Sequence, residues 1–203
     1  MVRKTKAEAQ ETRHQILDAA ERMFLAQGVA RTSLQQVASA AGVTRGAVYW
    51  HFKDKADLFD AMMERVTMPC ETAIAEALAR PPEEALAGLA TMAMVPLREL
   101  ATQAQVQRVF SIAMHYTEYT ADLAPVRQRH QESVASFVDQ LETLLKRAHS
   151  RLKPRLNKRA AALGLFALVD GLMNHWTLSP ESFDLVAVGE QSVQSYLAGI
   201  QVV

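Results

Sequence analysis

The chain has 203 residues and a formal net charge of zero, enough material for one or two domains with a sizeable core. Its single cysteine, Cys70, excludes an intramolecular disulfide and a thiolate metal cluster and fits a reducing cytoplasm. The opening MVRKTKAEAQETR lacks the apolar centre of a signal peptide, and no apolar run approaches the roughly 20 residues of a membrane span, so the chain reads as soluble. Its charge is unevenly spread: up to Lys55, nine basic residues stand against five acidic ones, leaving the remainder net acidic. A basic module joined to an acidic body suits a nucleic-acid reader with a second task.

Helical periodicity runs throughout, and strand alternation and Asn-Gly or Asp-Gly hairpin signals are missing, so the fold class is all-α. Glu8 to Gln27 reads as a first helix with Ile16, Ala20, Met23 and Phe24 on one face and Gly28 as its stop. Thr32 to Lys55, TSLQQVASAAGVTRGAVYWHFKDK, then reads as two short helices joined by a glycine turn. Ser33 caps the first, and Gln36 closes a capping box. Leu34, Val37, Ala38 and Ala41 follow at the spacing of one buried stripe, and Gly42 supplies the left-handed conformation that ends the helix. Thr44 caps the second helix. Val48 and Phe52 form its buried seam, while Arg45, Tyr49, Trp50 and His51 place large polar-tipped groups elsewhere. A short helix of this kind, held in a helix-turn-helix, is suited to a DNA major groove.

Asp54 caps a fourth helix, with Asp57 in its first turn. Leu58, Phe59, Met62, Met63 and Val66 cover more than one of its faces, and Pro69 is expected to kink or end it. After Pro81-Pro82, helices are expected from Glu83 to about Ala101 (bent at Pro96), from about Ala104 to Tyr116, and from Asp122 to about Arg151. Val126, Val134, Phe137, Leu141, Leu144 and Leu145 face inward on the last of these. Two more run from Asn157 to Leu178 and from Ser182 to about Ile200. The expected division is a helix-turn-helix DNA-binding domain over 1–54 and a helical ligand-binding and dimerisation domain over 55–203. The segment LGLFALV, Leu163 to Val169, is apolar almost all round and needs cover on two sides. Gly164, Ala167 and Gly171 share a face that permits close approach, and the final helix spaces Val186, Val193, Tyr196, Leu197 and Ile200 helically. Two such helices from each of two chains make a four-helix interface; the alternative is an ordinary buried central helix.

TSLQQVASAAGV followed by TRGAVYWHFKDKADLF resembles the DNA-binding signature of the TetR family of one-component bacterial repressors, over about the first 60 residues. MVRKTKAEAQETR, the segment from His115 to Tyr119, and VDGLMNHWTLSPESFDL also resemble the AcrR-type subgroup, which represses multidrug efflux pumps. The resemblance implies a homodimer that binds palindromic operator DNA. Its body, after about Asp54, takes a small hydrophobic or aromatic compound that releases the operator.

Phosphate contacts are expected from Thr32 or Ser33 at a helix N-terminus. Tyr49, Trp50, His51 and Lys55 match family positions on the DNA backbone. Thr44, Arg45, Gly46 and Ala47 lie at the front of the recognition helix, where Arg45 can fork onto guanine and Gly46 lets the helix approach closely. Trp50 can instead be a packing residue and His51 a helix cap. The arm Arg3-Lys4-Thr5-Lys6 is expected to follow phosphates, enter a minor groove, or remain disordered.

Met62, Met63, Val66, Met92, Val95, Phe110, Phe137 and Phe166 are candidates to line the effector pocket, although such residues are equally the makings of core. Ser111 and His115, one turn apart, are the polar candidates, along with Asp170, a carboxylate expected to be buried in an apolar helix and to need a partner. No cofactor is implied. His115 and Glu118 have a metal-compatible spacing, but the other histidines add no motif, and no metal site is expected. An enzyme would need a nucleophile elbow, a phosphate-cradling loop or HExxH, none of which occurs. The remaining alternatives are a regulator of lipid metabolism or signalling and an architectural DNA binder. The expected switch is a ligand-driven shift of the fourth helix, which moves two reading helices off the spacing of about 34–36 Å that successive grooves demand.

Overall fold

The computed structural model describes residues 5–118, 120, 123–180 and 182–202. Among them are nine α-helices: α1 (Lys6–Gln27), α2 (Leu34–Ala40), α3 (Arg45–His51), α4 (Lys55–Ala79), α5 (Ala85–Thr102), α6 (Ala104–His115), α7 (Ala124–Arg147), α8 (Lys158–Leu178) and α9 (Leu185–Ile200). Short 3-10 turns occupy Pro82–Glu84 and His149–Arg151, and an isolated antiparallel bridge joins Leu152 to Gln201. No helix among the described residues is long and apolar enough to cross a membrane.

The chain divides into two compact units. The first holds residues up to Val66 together with Arg108–Arg129, and the second holds Thr67–Gln107 and the residues from His130 onward. The boundary expected at 54/55 therefore falls inside the first unit, where part of α6 and the start of α7 join the helix-turn-helix.

In the first unit, α1, α2 and α3 pack on one another. Ile16, Leu17, Ala20, Phe24, Val37, Ala38 and Val48 are fully buried, and the rings of Phe24 and Phe59 lie 6.5 Å apart. The caps make these short helices definite. Helix α1 starts two residues earlier than its apolar pattern suggests, because Thr5 and Glu8 form a capping box: Thr5 N–H donates to Glu8 Oε2 at 2.6 Å, and Thr5 Oγ1 accepts from Glu8 N–H. Thr5 and Lys6 are thus a cap and a first turn rather than parts of an arm. Arg3 and Lys4 lie outside the described residues, as do Asp122 and Tyr119. Ser33 and Gln36 form the expected box on α2. After α2, Gly42 stands at φ +67°, its N–H donates to Ser39 C=O and Val43 N–H donates to Ala38 C=O, the paired bonds of a Schellman ending.

Helix α4 opens on a reciprocal pair. Asp54 Oδ1 accepts from Asp57 N–H and Asp57 Oδ2 accepts from Lys53 N–H, both at 2.8 Å. It runs through Pro69 to Ala79, so the proline does not end it. Cys70 lies in its second half, where burial, then Glu99 and Glu71, push the thiol up to about 11; it is protonated at neutral pH.

In the second unit, α5, α8 and α9 pack together. Two glycines set how closely. A Cβ at Gly189 would collide with Leu97 Cδ1, and one at Gly164 would collide with the Tyr196 hydroxyl, which donates to Ala161 C=O at 2.8 Å. Gly164 therefore serves α8–α9 packing within the chain, while Ala167 and Gly171 are exposed. The three do not act as one surface.

Candidate nucleic-acid interface

Helix α3 has seven residues, too few to hold itself in water, so its geometry is borrowed from neighbours. Thr44 Oγ1 accepts from Ala47 N–H at 3.1 Å at its start, and buried Val48 and Phe52 fix it from below. Arg13 from α1 lies over the Phe52 ring, 5.3 Å from its centroid. The opposite face is open. Tyr49 is 46% exposed and Trp50 72%, values far above those of aromatics that serve as core. Trp50 therefore stands as surface rather than packing. Its ring meets His51 edge-on at 4.5 Å between centroids.

Arg45 is exposed and pre-oriented. Its guanidinium lies 5.3 Å from the Tyr49 ring centroid and donates to Tyr49 Oη at 3.3 Å. Gly46 beside it looks into open space, since a Cβ there would approach nothing nearer than Thr44 Oγ1 at 3.9 Å. No group among the described residues requires a glycine at that point. Thr44, Arg45, Gly46, Tyr49 and Trp50 are thus brought onto one exposed helix with Ala47 half-buried, and Ser33 is exposed at the start of α2.

Two predicted contact residues are differently placed. Thr32 is 1% exposed, and its hydroxyl donates to Gly28 C=O at 2.8 Å, so it ties the end of α1 to the start of α2 rather than offering a group to phosphate. Lys55 Nζ donates to the carbonyls of Val29 and Ala30 at 3.0 and 2.9 Å, a clamp on the same turn.

The effector candidates fall in both units. In the first, Met62 and Val66 are buried, while Met63, Phe110, Ser111 and His115 are half-buried. In the second, Met92 is buried, Val95 is half-buried, and Phe137 and Phe166 are half-buried with rings edge-to-face at 5.9 Å. Met62 and Met92 pack as core. Asp170 is not the buried carboxylate expected: it sits on the exposed face of α8 near Ala167, Gly171 and Asn174. Loss of water around that apolar helix still raises its carboxyl above the usual range, and His130 opposes the rise. Among the described residues no group of three His, Cys, Asp or Glu side chains could hold a metal ion.

One cluster escaped the sequence reading. Glu21 of α1 has a side chain 3% exposed, held by Arg65 of α4 at 3.0 Å with Arg108 of α6 at 3.6 Å. Arg65 also reaches Asp18 at 2.7 Å. The signal was the spacing itself, because Glu21 stands four residues after Leu17 and three before Phe24, on the buried stripe.

The comparisons with known proteins agree along nearly the whole chain. The pattern described as "Bacterial regulatory proteins, tetR family" matches residues 16–62, and that of the "MAATS-type transcriptional repressor, C-terminal region" matches residues 84–202. The HTH-type transcriptional regulator TtgR of Pseudomonas putida is 41% identical over 97% of this chain and 95% of its own. NalD, described as the secondary repressor of the MexAB-OprM multidrug efflux pump in Pseudomonas aeruginosa, superposes with a TM-score of 0.88 at 36% identity, covering 97% of this chain and 98% of that one. SmeT, described as the repressor of the Stenotrophomonas maltophilia multidrug efflux pump SmeDEF, in its triclosan complex gives a TM-score of 0.81 at 30% identity, covering 95% of this chain and 92% of that one. With matched patterns at both ends and relatives of this identity along nearly its full length, the chain belongs to the TetR family of bacterial transcriptional regulators.

Proposed function

We propose that this regulator represses a multidrug efflux operon from a palindromic operator and leaves it when a small hydrophobic or aromatic compound binds. The observation that carries the reading is the exposed face of α3, where Arg45, Tyr49 and Trp50 stand in solvent beside an unfilled Gly46. Arg45 reads a base edge, with Tyr49, Trp50, His51 and Ser33 positioning the helix on phosphates. The efflux assignment and the effector class rest on NalD and SmeT, the latter seen with triclosan. Within the second unit, half-buried Phe137 and Phe166 are the proposed effector contacts, and within the first unit half-buried Phe110, Ser111 and His115 are proposed as the residues that respond. A DNA regulator of this kind works in the cytoplasm.

Pairing of two chains through α8 and α9 is part of the same proposal. Leu163 and Leu178 are 46% and 65% exposed, and Ala167, Gly171 and Asn174 complete a stripe between them at helical spacing. A second copy covers that stripe, and with it Asp170.

Footprinting on the DNA flanking the protein's own gene, with and without triclosan, tests the proposal. Protection of a short palindrome that triclosan removes is the expected result. Protection without sequence preference defeats repression, and protection that a panel of hydrophobic drugs leaves intact defeats effector control.

A further inference from the structure

A buried carboxylate is costly unless charge and hydrogen bonds surround it. Glu21 meets that demand with two arginines from distant parts of the chain, Arg65 on α4 and Arg108 on α6. Its own helix, α1, is the one against which α2 and α3 pack. Helix α6 also holds α1 at a second point. Val29, just past the end of α1, donates its N–H to Tyr116 C=O at 2.9 Å, immediately after α6. Gly28 beside it stands at φ +84°, and a Cβ there would lie 3.4 Å from the same Tyr116 oxygen, so the glycine admits the approach. Between these two fixed points α6 carries Phe110, Ser111 and His115. Its chain passes from the second compact unit to the first at Gln107–Arg108.

We infer that Glu21 is the positioning residue of the reader: through Arg108 and Arg65 it makes α6, and not α4 alone, set where α1 and therefore α3 stand. Loss of the Arg108 grip loosens placement while the fold survives, because Arg65 still neutralises Glu21. This rests on the reading that α3 engages operator DNA, and the test separates the two.

The experiment is Arg108→Gln in the full chain, followed by amide hydrogen exchange without DNA or effector. Exchange at Val29 is expected to accelerate about fivefold or more, while Leu17 in the middle of α1 keeps its wild-type rate. Equal rates at Val29 in both proteins overturn the inference. So does acceleration of both amides together, the mark of a merely stabilising ion pair. If Arg108→Gln fails to fold, Arg108→Lys, which keeps the charge without the fork, is read at the same two amides with the same criteria. A second arm compares binding to the duplex upstream of the protein's own gene with binding to a mixed-sequence duplex of equal length. The variant is expected to lose about fivefold or more on the first and nothing on the second; equal changes on both count against the positioning role. If the wild type does not distinguish the two duplexes, the DNA reading fails while the exchange result still decides the role of Glu21.

Discussion

At the scale of the residue, Arg45 and Lys55 are both cations at the reader, and only their surroundings separate them. Arg45 leans on Tyr49 and has its fork in solvent, whereas Lys55 spends its ammonium on two backbone carbonyls. Arg45→Ala is expected to cost about 1–3 kcal/mol of operator binding and to relax base preference, as gel-shift titration on operator variants will read. Lys55→Ala is expected to lower folding stability by about 1–3 kcal/mol in urea titration, since charge-assisted bonds to part-buried carbonyls are lost. The amino-acid pattern assigned Arg45 its place because helix spacing decides which face a residue occupies. It did not assign Lys55 or Thr32 theirs, since their partners depend on how the turn after α1 folds back. Asp170 was misplaced for a related reason: an apolar run shows that a helix needs cover but not whether its own chain supplies it.

At the scale of the element, caps and glycines did more than hydrophobic patterns to define boundaries. Ser33, Thr44, Asp54 and Asn157 were legible as starts or neighbours of starts, because a short polar side chain before an apolar period has one common use. Thr5 was overlooked because basic residues on both sides suggested an arm. Helix α9 begins at Leu185 under an Asp184 cap that accepts from Val186 and Ala187, not at Ser182. Glycines at close approaches are invisible to periodicity, since nothing in the order of residues names the opposing side chain. At Gly189 that neighbour is Leu97, which is fully buried and would have to shift to admit a methyl group. Gly189→Ala is therefore expected to destabilise by about 1–3 kcal/mol despite its better helix propensity, measured by thermal or chemical unfolding.

At the scale of the molecule, all-helical architecture followed from the period alone, but the compact units did not. The segment Arg108–Arg129 belongs with the helix-turn-helix although it lies far along the chain, and such long-range association is carried by contacts like Val29–Tyr116 and Glu21–Arg108. The α8 stripe yields a prediction for assembly. Ala167→Arg, at an exposed position that tolerates the side chain in a single copy, is expected to leave helix content intact, convert a dimer to a monomer in sedimentation, and remove operator binding. A monomeric wild type in the same sedimentation run defeats the proposed pairing.

The open space at Gly46 has a bearing on how such a protein would change under selection. A helical glycine with room beside it is an unclaimed gain, since alanine there would firm the helix by about 0.5–1 kcal/mol. A laboratory screen rewarding heat tolerance alone is therefore expected to enrich Gly46→Ala. The winners would be sturdier chains grown mute toward their operator, detectable by testing survivors for repression of a reporter gene.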